Sequence, residues 1–354
     1  MERRKRRKPQ LNLYQPPEPE PTMLENGAFG KIRLSGQSLE VTDDMIVGGV
    51  RINGEGQSVV YRITINGIVM ARKHVRVSMD AGSSREEINL MLEKKMREVY
   101  VIKGCANCPF IVHFYGFYVN RVRDCVNIHI FMEELALSAS TLIKRCKEKG
   151  KSIPEFIIGR IACSVTSALF FLKTKMQMIH RDVKPSNILI DNDGRVKICD
   201  FGISGILQNS VAISIVGCQQ YTAPEIAKVA FRSSGYSVKS DIWSLGITVY
   251  ELSTLQVPYP EASGIPLGGA INDCDPPRLD PAKFSANLVE FVRSLLQIDA
   301  NKRPHFDDVK NLAFFKQHDV PFSCIGTGVG VPDNHSEERP SVGAWLDNFL
   351  FRDR

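Results

Sequence analysis

The sequence predicts an α+β fold of two lobes, with a small β-rich N-terminal lobe, a larger α-rich C-terminal lobe and a cleft between them. Up to about Glu133 the chain clusters β-branched residues, as in "VVYRITI" and "IVMARKHVRV", which is typical of strands. Beyond Glu134 the long apolar segments have the length of buried helices. A run of strands followed by a run of helices favours segregated layers over an alternating α/β sheet.

Length and composition are compatible with a catalytic domain. The chain has 354 residues, of which 43% are hydrophobic, and this is enough to bury a core. No unbroken apolar run reaches the ~18 residues of a membrane-spanning helix. The basic start "MERRKRRKPQ" lacks the apolar core of a signal peptide. We therefore expect a cytoplasmic protein, with the nucleus as a second location, and no membrane partner.

Most of the positive charge lies in one terminal segment. The net charge is +6, and the first eight residues contain six Lys or Arg and one Glu. The folded body is therefore nearly neutral, which argues against a nucleic-acid partner. Nine cysteines are scattered, with one close pair in "CANC". Since a zinc site needs about four ligands, we interpret them as reduced thiols.

Individual elements follow from local patterns. The dipeptide Asn66-Gly67 predicts a tight turn between two strands, and "IVHFYGFYV" and "VNIHIFMEE" complete the expected sheet. Before these two strands, "SREEINLMLEKKMREVYVI" has helical spacing. In the second half, Pro154 predicts the start of an apolar helix. Two further helices are expected at "SVKSDIWSLGITVYELST" and "SANLVEFVRSLLQI".

Phosphoryl-transfer chemistry is indicated by "MIHRDVKPSNILID" and the "CDFG" that follows it. The reaction requires a carboxylate for the attacking hydroxyl, a cation near the phosphate and oxygen ligands for Mg²⁺. These groups are supplied by Asp182, Lys184, Asn187 and Asp200. Both segments resemble protein kinase motifs. The resemblance implies the two-lobed protein kinase fold, with ATP as phosphate donor, Asp182 and Lys184 as catalytic residues, and Asn187 and Asp200 as Mg²⁺ ligands.

The same resemblance extends to the nucleotide pocket. Lys73 in "VMARK" is similar to the strand lysine that binds the α- and β-phosphates, and Glu98 is similar to its helix partner, with Glu93 as an alternative. The "FMEEL" segment resembles the hinge between the lobes. It implies that Met132 guards the back of the pocket and that Glu133 and Leu135 offer backbone groups to adenine.

The phosphate-binding loop is irregular. In "GEGQSVVYRI" we assign Gly54, Gly56 and Val60 to the nucleotide site, in a loop one residue shorter than the family's, with Ser58 or Val59 at the third glycine. This predicts weakened or altered ATP binding. A rival glycine pair, "GAFG" at 27–30, lacks the strand lysine at the right distance. In the second lobe, the resemblance implies three supporting residues: Glu225 pairing with Arg303, and Asp241 holding the catalytic loop.

The segment "CDFGISGILQNSVAIS" closely resembles the activation segment of MAP kinase kinases, in which two hydroxyl residues four positions apart are phosphorylated. The resemblance assigns these positions to Ser210 and Ser214. It implies a dual-specificity kinase that phosphorylates Thr and Tyr of a downstream MAP kinase and is activated by an upstream MAP kinase kinase kinase. The absence of a long proline-rich insertion favours the stress-activated branch, although "MARKHVRV" and "IVGC" are similar to the other branch.

The resemblance also divides the chain. We expect a basic, proline-rich tail at 1–45, a kinase domain at 46–315 with lobes at 46–132 and 135–315, and a C-terminal tail at 316–354. Basic residues followed by Leu11 and Leu13 resemble the family's docking sequence for MAP kinases, with a nuclear-localisation signal or a solvated tail as alternatives. "SVGAWLDNFLF" is similar to the family's docking helix for upstream kinases, or is a helix that packs on the large lobe.

A rival function belongs to another class. A weakly active or pseudokinase-like scaffold would act by binding through its two tails, and the irregular glycine loop is the feature that favours it. The complete set of Lys73, Asp182, Asn187 and Asp200 favours the enzyme.

Overall fold

The structure is a computed structural model, and it describes the following residues: 29–34, 36–46, 49–55, 58–78, 96, 99, 102–122, 125–200, 219–229, 237–259, 275–319 and 342–349. Of the predicted helix after the fifth strand, this set includes Met96 and Val99, which are both helical and buried.

Seven strands form one antiparallel sheet in the N-terminal lobe, in the order β2-β1-β6-β7-β5-β4-β3. They are β1 (Phe29–Leu34), β2 (Gln37–Glu40), β3 (Val50–Glu55), β4 (Ser58–Ile65), β5 (Ile68–Ser78), β6 (Phe114–Val122) and β7 (Cys125–Glu133). Side chains alternate between the faces, so Val75 and Val77 of β5 join one buried cluster and Met70 joins another. The predicted turn joins β4 to β5, with positive φ at Asn66 (50°) and Gly67 (78°), as this turn type requires.

Two of these strands lie within residues 1–45, which we predicted to be a tail. β1 pairs with β6 over four residues, and Ile32 is buried. Gly30 permits this pairing, because a Cβ there would lie 2.3 Å from the carbonyl oxygen of Phe117. The sheet therefore starts at β1, within the segment that we predicted to be a tail, and the start of the kinase domain at residue 46 remains a prediction. Since Gly30 is needed within this strand, "GAFG" is not the phosphate-binding loop.

The C-terminal lobe is mainly helical. Its described helices are α1 (Ala139–Lys149), α2 (Glu155–Lys175), α3 (Pro224–Val229), α4 (Val238–Thr254), α5 (Ala286–Leu295), α6 (Phe306–Asn311), α7 (Ala313–His318) and α8 (Val342–Asp347). Local chemistry sets their ends. For example, Ser237 and Ser240 form a capping box at the start of α4, and Gly150 ends α1 in the left-handed conformation with φ of 60°.

Helix α2 lies at the centre of this lobe and begins after Pro154, as predicted. It packs against α4, α6, α7 and a short strand, β10 (Val196–Ile198). Its length and hydropathy would suit a membrane span, but 67% of its most apolar window is buried inside the protein. The apolar composition of α2 therefore reflects its position in the core.

A second, three-stranded sheet consists of β8 (Leu137–Ser138), β9 (Ile188–Ile190) and β10 (Val196–Ile198). Asn187 immediately precedes β9, and Asp200 follows β10 by two residues. β10 also bonds to the segment before β6, because Ile198 donates its N–H to Phe110 O (2.9 Å) and accepts from Val112 N (3.1 Å). The β9–β10 hairpin thus holds both predicted metal ligands and contacts the N-terminal lobe.

Helix α8 packs on the large lobe. Leu346 and Phe349 are buried, and Lys149 at the end of α1 donates to the carbonyl oxygen of Phe349 at 2.8 Å. On its other side α8 contacts the β9–β10 turn, where a Cβ on Gly343 would lie 2.6 Å from Asn192 O. Of the two interpretations of this segment, packing on the large lobe is the one that the structure shows.

Candidate active site

The catalytic loop lies between α2 and β9 and is fixed by one buried carboxylate. Asp241 in α4 accepts the backbone N–H groups of His180 and Arg181, both at 2.8 Å. Arg181 has a φ of 70°, a conformation that costs energy for a non-glycine residue. The two hydrogen bonds offset this cost, so the predicted support of the catalytic loop by Asp241 is confirmed.

Two predicted site residues, Lys184 and Asn187, contact Asp182. Lys184 approaches its carboxylate at 2.8 Å. The side-chain amide of Asn187 donates to the same carboxylate at 2.8 Å and to the backbone carbonyl of Asp182 at 2.9 Å. These contacts leave the carboxylate part-exposed and hold it in one orientation, as a group that positions a substrate hydroxyl requires.

Lys73 and Asp200 form the second part of the site. The ammonium of Lys73 donates to Asp200 Oδ1 at 2.7 Å, and the lysine side chain is 3% exposed. The contact links β5 of the N-terminal lobe to the segment that follows β10. Asp200 has a φ of 57°, so here too an unfavourable backbone conformation occurs at a predicted functional residue.

The pKa values follow from burial and neighbouring charge. Burial raises the pKa of Asp200, but the cations Lys73 and Lys184 and its hydrogen bond to Lys73 bring it below the ordinary value. Burial lowers the pKa of His180 to about 4, so His180 is neutral at neutral pH. Its Nδ1 accepts the N–H of Asp182 at 3.2 Å, and the ring proton on Nε2 is therefore donated to Cys199 O at 3.2 Å. Neutral His180 thus connects the catalytic loop to the residue before Asp200.

The hinge residues lie where β7 ends. Met132 and Leu135 are buried, and Met132 pairs with Ala71, two residues before Lys73. The amide of Glu133 donates to His113 O at 2.9 Å. Of the backbone groups of Glu133, its carbonyl is therefore the one that can be offered to adenine.

The phosphate-loop hairpin closes tightly. Gly54 pairs with Val59 and Glu55 pairs with Ser58, so two residues connect the last pair. Val60 pairs with Lys73, and directly opposed side chains share one face of a sheet. If Val60 is the valine of the G-x-G-x-x-G-x-V motif, the loop of this protein has the same length as the motif. Asn53, Glu55 and Ser58 then occupy the three glycine positions. It is an alternative to the shorter loop.

Several predicted residues lie outside the described residues: Gly56, Glu98, Ser210, Ser214, Leu11 and Leu13. Their assignments remain predictions.

The predicted ion pair between Glu225 and Arg303 is confirmed. It is bidentate, with both guanidinium nitrogens 2.7 Å from the carboxylate oxygens. The pair joins α3, which follows the activation segment, to the turn between α5 and α6. Arg303 is 1% exposed, so its side chain is part of the core of the C-terminal lobe.

A buried ion pair at the hinge was not predicted from the sequence. The side chain of Glu133 contacts the ammonium of Lys197 in β10, and the exposed fractions of the two side chains are 14% and 10%. A signal was present, since Lys197 lies between two apolar residues of a strand in "VKI", and a buried lysine requires an opposite charge.

Comparisons with known proteins agree with this geometry. The protein kinase domain family matches residues 50–315. Its relatives include three Caenorhabditis elegans proteins named dual specificity mitogen-activated protein kinase kinases: mek-1 (42% identical over 64% of this chain and 63% of its own), sek-1 (34% over 89% and 92%) and jkk-1 (35% over 82% and 65%). The match thus spans slightly under two thirds of mek-1 and jkk-1 and nearly all of sek-1. Together with the arrangement of Lys73, Asp182, Asn187 and Asp200, these matches show that the chain belongs to the protein kinase family and, within it, to the dual-specificity MAP kinase kinases.

Proposed function

We propose that this protein transfers the γ-phosphate of ATP to Thr and Tyr in the activation loop of a MAP kinase. The observation that carries the proposal is the cluster in which Lys73 meets Asp200 while Lys184 and Asn187 meet Asp182. MAP kinase kinases act between upstream kinases and downstream MAP kinases. We place the chain in the stress-activated branch, a proposal supported by the absence of a long proline-rich insertion from its sequence.

Protein kinases use ATP and Mg²⁺, and the residues of this cleft fit both. A buried ammonium beside a carboxylate of lowered pKa suits an anionic phosphate next to a divalent cation. When bound, Mg²⁺ neutralises charge on the phosphate oxygens. We assign the α- and β-phosphates to Lys73 and the metal to Asn187 and Asp200, which supply oxygen ligands.

The remaining groups act on the protein substrate. The carboxylate of Asp182 orients the substrate hydroxyl and accepts its proton, and Lys184 lies close enough to stabilise negative charge on the transferring phosphate. Holding these groups by hydrogen bonds before the reaction lowers the cost of reaching the transition state.

The test is phosphorylation of inactive MAP kinases. The full chain with Ser210→Asp and Ser214→Asp is incubated with each member of a panel of full-length inactive MAP kinases and labelled ATP. Mass spectrometry then locates the phosphate. We expect phosphate on both Thr and Tyr of one activation loop. Phosphate on serine alone, or on no MAP kinase in the panel, would refute the proposed function.

Activation is expected to require Ser210 and Ser214. Each phosphate adds about −1.5 to −2 charges and can pair with a cation of the catalytic loop such as Arg181. The variant with both serines changed to Ala should remain nearly inactive after treatment with an upstream kinase that activates the wild type at least about tenfold. Mass spectrometry of the activated wild type that found phosphate only on other residues, such as Ser204, would contradict the assignment.

A substitution in the glycine loop is expected to have a smaller effect, on the KM for ATP. Ser58 pairs with Glu55 where the hairpin closes, and a glycine there would allow closer approach of the backbone to the phosphates. Ser58→Gly is expected to lower the KM for ATP roughly twofold to fivefold, the scale of a ~1 kcal/mol change. Thr64→Gly, at the other end of β4, is the control for general loosening of the strand. A KM that rises in Ser58→Gly would show that the serine itself contributes to binding.

The N-terminal docking sequence predicts an effect on the protein substrate alone. Docking raises the effective concentration of substrate at the cleft, so Leu11→Ala with Leu13→Ala should slow phosphorylation of full-length MAP kinase about tenfold below its KM. ATP turnover without MAP kinase should not change. High salt should reduce the wild-type advantage, because exposed charges are screened. Equal rates for the two proteins would leave a nuclear-localisation signal or a solvated tail as the function of this segment.

A further inference from the structure

The carboxylate of Glu133 joins three segments. It accepts the backbone N–H of His113 at 2.5 Å and forms the buried ion pair with Lys197 of β10. His113 lies in the segment before β6, which is itself hydrogen-bonded to β10 through Phe110 and Val112. One side chain of the hinge is therefore tied to the N-terminal lobe and to the hairpin of the C-terminal lobe.

These ties connect the two ends of the cleft. Glu133 and Leu135 supply the hinge backbone that we assign to adenine. Lys197 is three residues before Asp200, which we assign to the metal at the phosphates. Movement of β10 relative to the hinge would change the distance between the adenine end and the phosphate end, and the Glu133–Lys197 pair opposes that movement.

The neighbouring carboxylate provides a contrast. Glu134 pairs with Arg62 of β4 at 3.1 Å, but the arginine side chain is 56% exposed. The Glu134 side chain is 19% exposed. Removing the exposed arginine should nevertheless cost little, because water already solvates its charge. Breaking a buried pair is costly, because one charge remains in the interior without its partner.

We propose that Glu133 is a positioning residue that fixes the spacing between the hinge and Asp200, and so matches the cleft to the length of Mg·ATP. The inference rests on the proposed function, because it requires that the cleft binds ATP in the orientation assigned above. A ligand that occupies both ends gains from this fixed spacing, since less ordering is needed on binding. A ligand that occupies only the hinge does not.

The experiment uses titration calorimetry on the full chain to measure the Kd for adenosine and the Kd for Mg·ATP. Glu133→Gln retains an acceptor for His113 and removes the charge that holds Lys197. We expect the Kd for Mg·ATP to rise about tenfold, within the usual range of couplings between sites, and the Kd for adenosine to change less than about twofold. Arg62→Gln, which breaks the exposed hinge pair, is the matched control and should change neither Kd.

A double variant separates positioning from stability. Glu133→Gln with Lys197→Met removes both buried charges, and its Tm should recover towards that of the wild type. The Kd for Mg·ATP should remain raised, because the tie is still absent. Recovery of Mg·ATP affinity in the double variant would show that Glu133 only neutralises Lys197, and equal losses of adenosine and Mg·ATP affinity in Glu133→Gln would show general damage; either result would overturn the inference.

The binding measurements use no protein substrate. A wild-type chain that binds Mg·ATP but phosphorylates no MAP kinase would therefore refute the proposed function and leave this test intact. A wild-type chain that binds adenosine and Mg·ATP equally well would overturn the inference on spacing while MAP kinase phosphorylation still supported the function.

Discussion

Replacing Asp200 by Asn is expected to abolish Mg²⁺-dependent phosphoryl transfer. The substitution keeps the size of the side chain and removes the charge that faces Lys73 at 2.7 Å. A neutral amide is a weaker ligand for a hard divalent cation than a carboxylate is. Loss of a preorganised charge at a reacting centre typically costs about 100-fold or more in kcat. Initial rates with labelled ATP, at saturating MAP kinase, measure this loss.

The same hairpin offers a matched control. Asp193 lies in the β9–β10 turn, where its side chain is 54% exposed and pairs with Arg195. Asp193→Asn makes the identical chemical change about as close in sequence to β10, and kcat should stay within about twofold of wild type because exposed ion pairs contribute little. If Asp200→Asn retained more than a few per cent of wild-type kcat, the metal assignment would be wrong.

Replacing Arg303 by Met is expected to cause the largest loss of stability. Its guanidinium pairs with Glu225, donates to the carbonyl oxygens of Gln297 (2.6 Å) and Lys239 (3.0 Å), and lies 5.0 Å from the centre of the Trp243 ring. Removing it leaves a carboxylate and several carbonyl groups without their donor. Removal of one partner from a buried ion pair typically costs about 3–5 kcal/mol in the free energy of unfolding.

Two further variants define the cause. Arg303→Lys keeps the charge but loses the bidentate geometry, so its stability should be intermediate. Arg293→Met changes an arginine of α5 whose side chain is 68% exposed, and the free energy of unfolding should change by no more than about 0.5 kcal/mol. Urea unfolding of the three variants gives these differences. An Arg303→Met variant as stable as Arg293→Met would contradict the structural role of the Glu225 pair.

Short-range patterns were sufficient to predict much of the fold. The strands of the N-terminal lobe follow β-branched clusters, the Asn66-Gly67 turn follows from its dipeptide, and α2 and α4 follow from apolar segments with clear start signals. The start of β1 was not predicted, because its pairing with β6 joins residues that are distant in sequence. The polar terminal composition around it gave no indication of that pairing.

The site also divides into residues that short sequence motifs predict and a contact between distant residues that they do not. The resemblance of two segments to protein kinase motifs, together with the chemistry of phosphoryl transfer, was enough to select Asp182, Lys184, Asn187 and Asp200. The Glu133–Lys197 pair was not predicted, because the two residues are 64 positions apart and neither belongs to a motif that specifies a partner. Its existence depends on how β10 packs beside the hinge, which is a property of the folded chain.

Helix α8 has a consequence for the order in which the protein assembles. The hydrogen bond between Lys149 and Phe349 closes a loop of 200 residues, and closing a loop costs more entropy as its length grows. A six-residue helix is not stable alone, so α8 docks only after the large lobe has formed. We expect its amides to exchange with solvent at a lower opening free energy than those of α2. The β9–β10 turn, which α8 contacts at Asn192, is therefore covered late during folding and is uncovered whenever α8 opens locally.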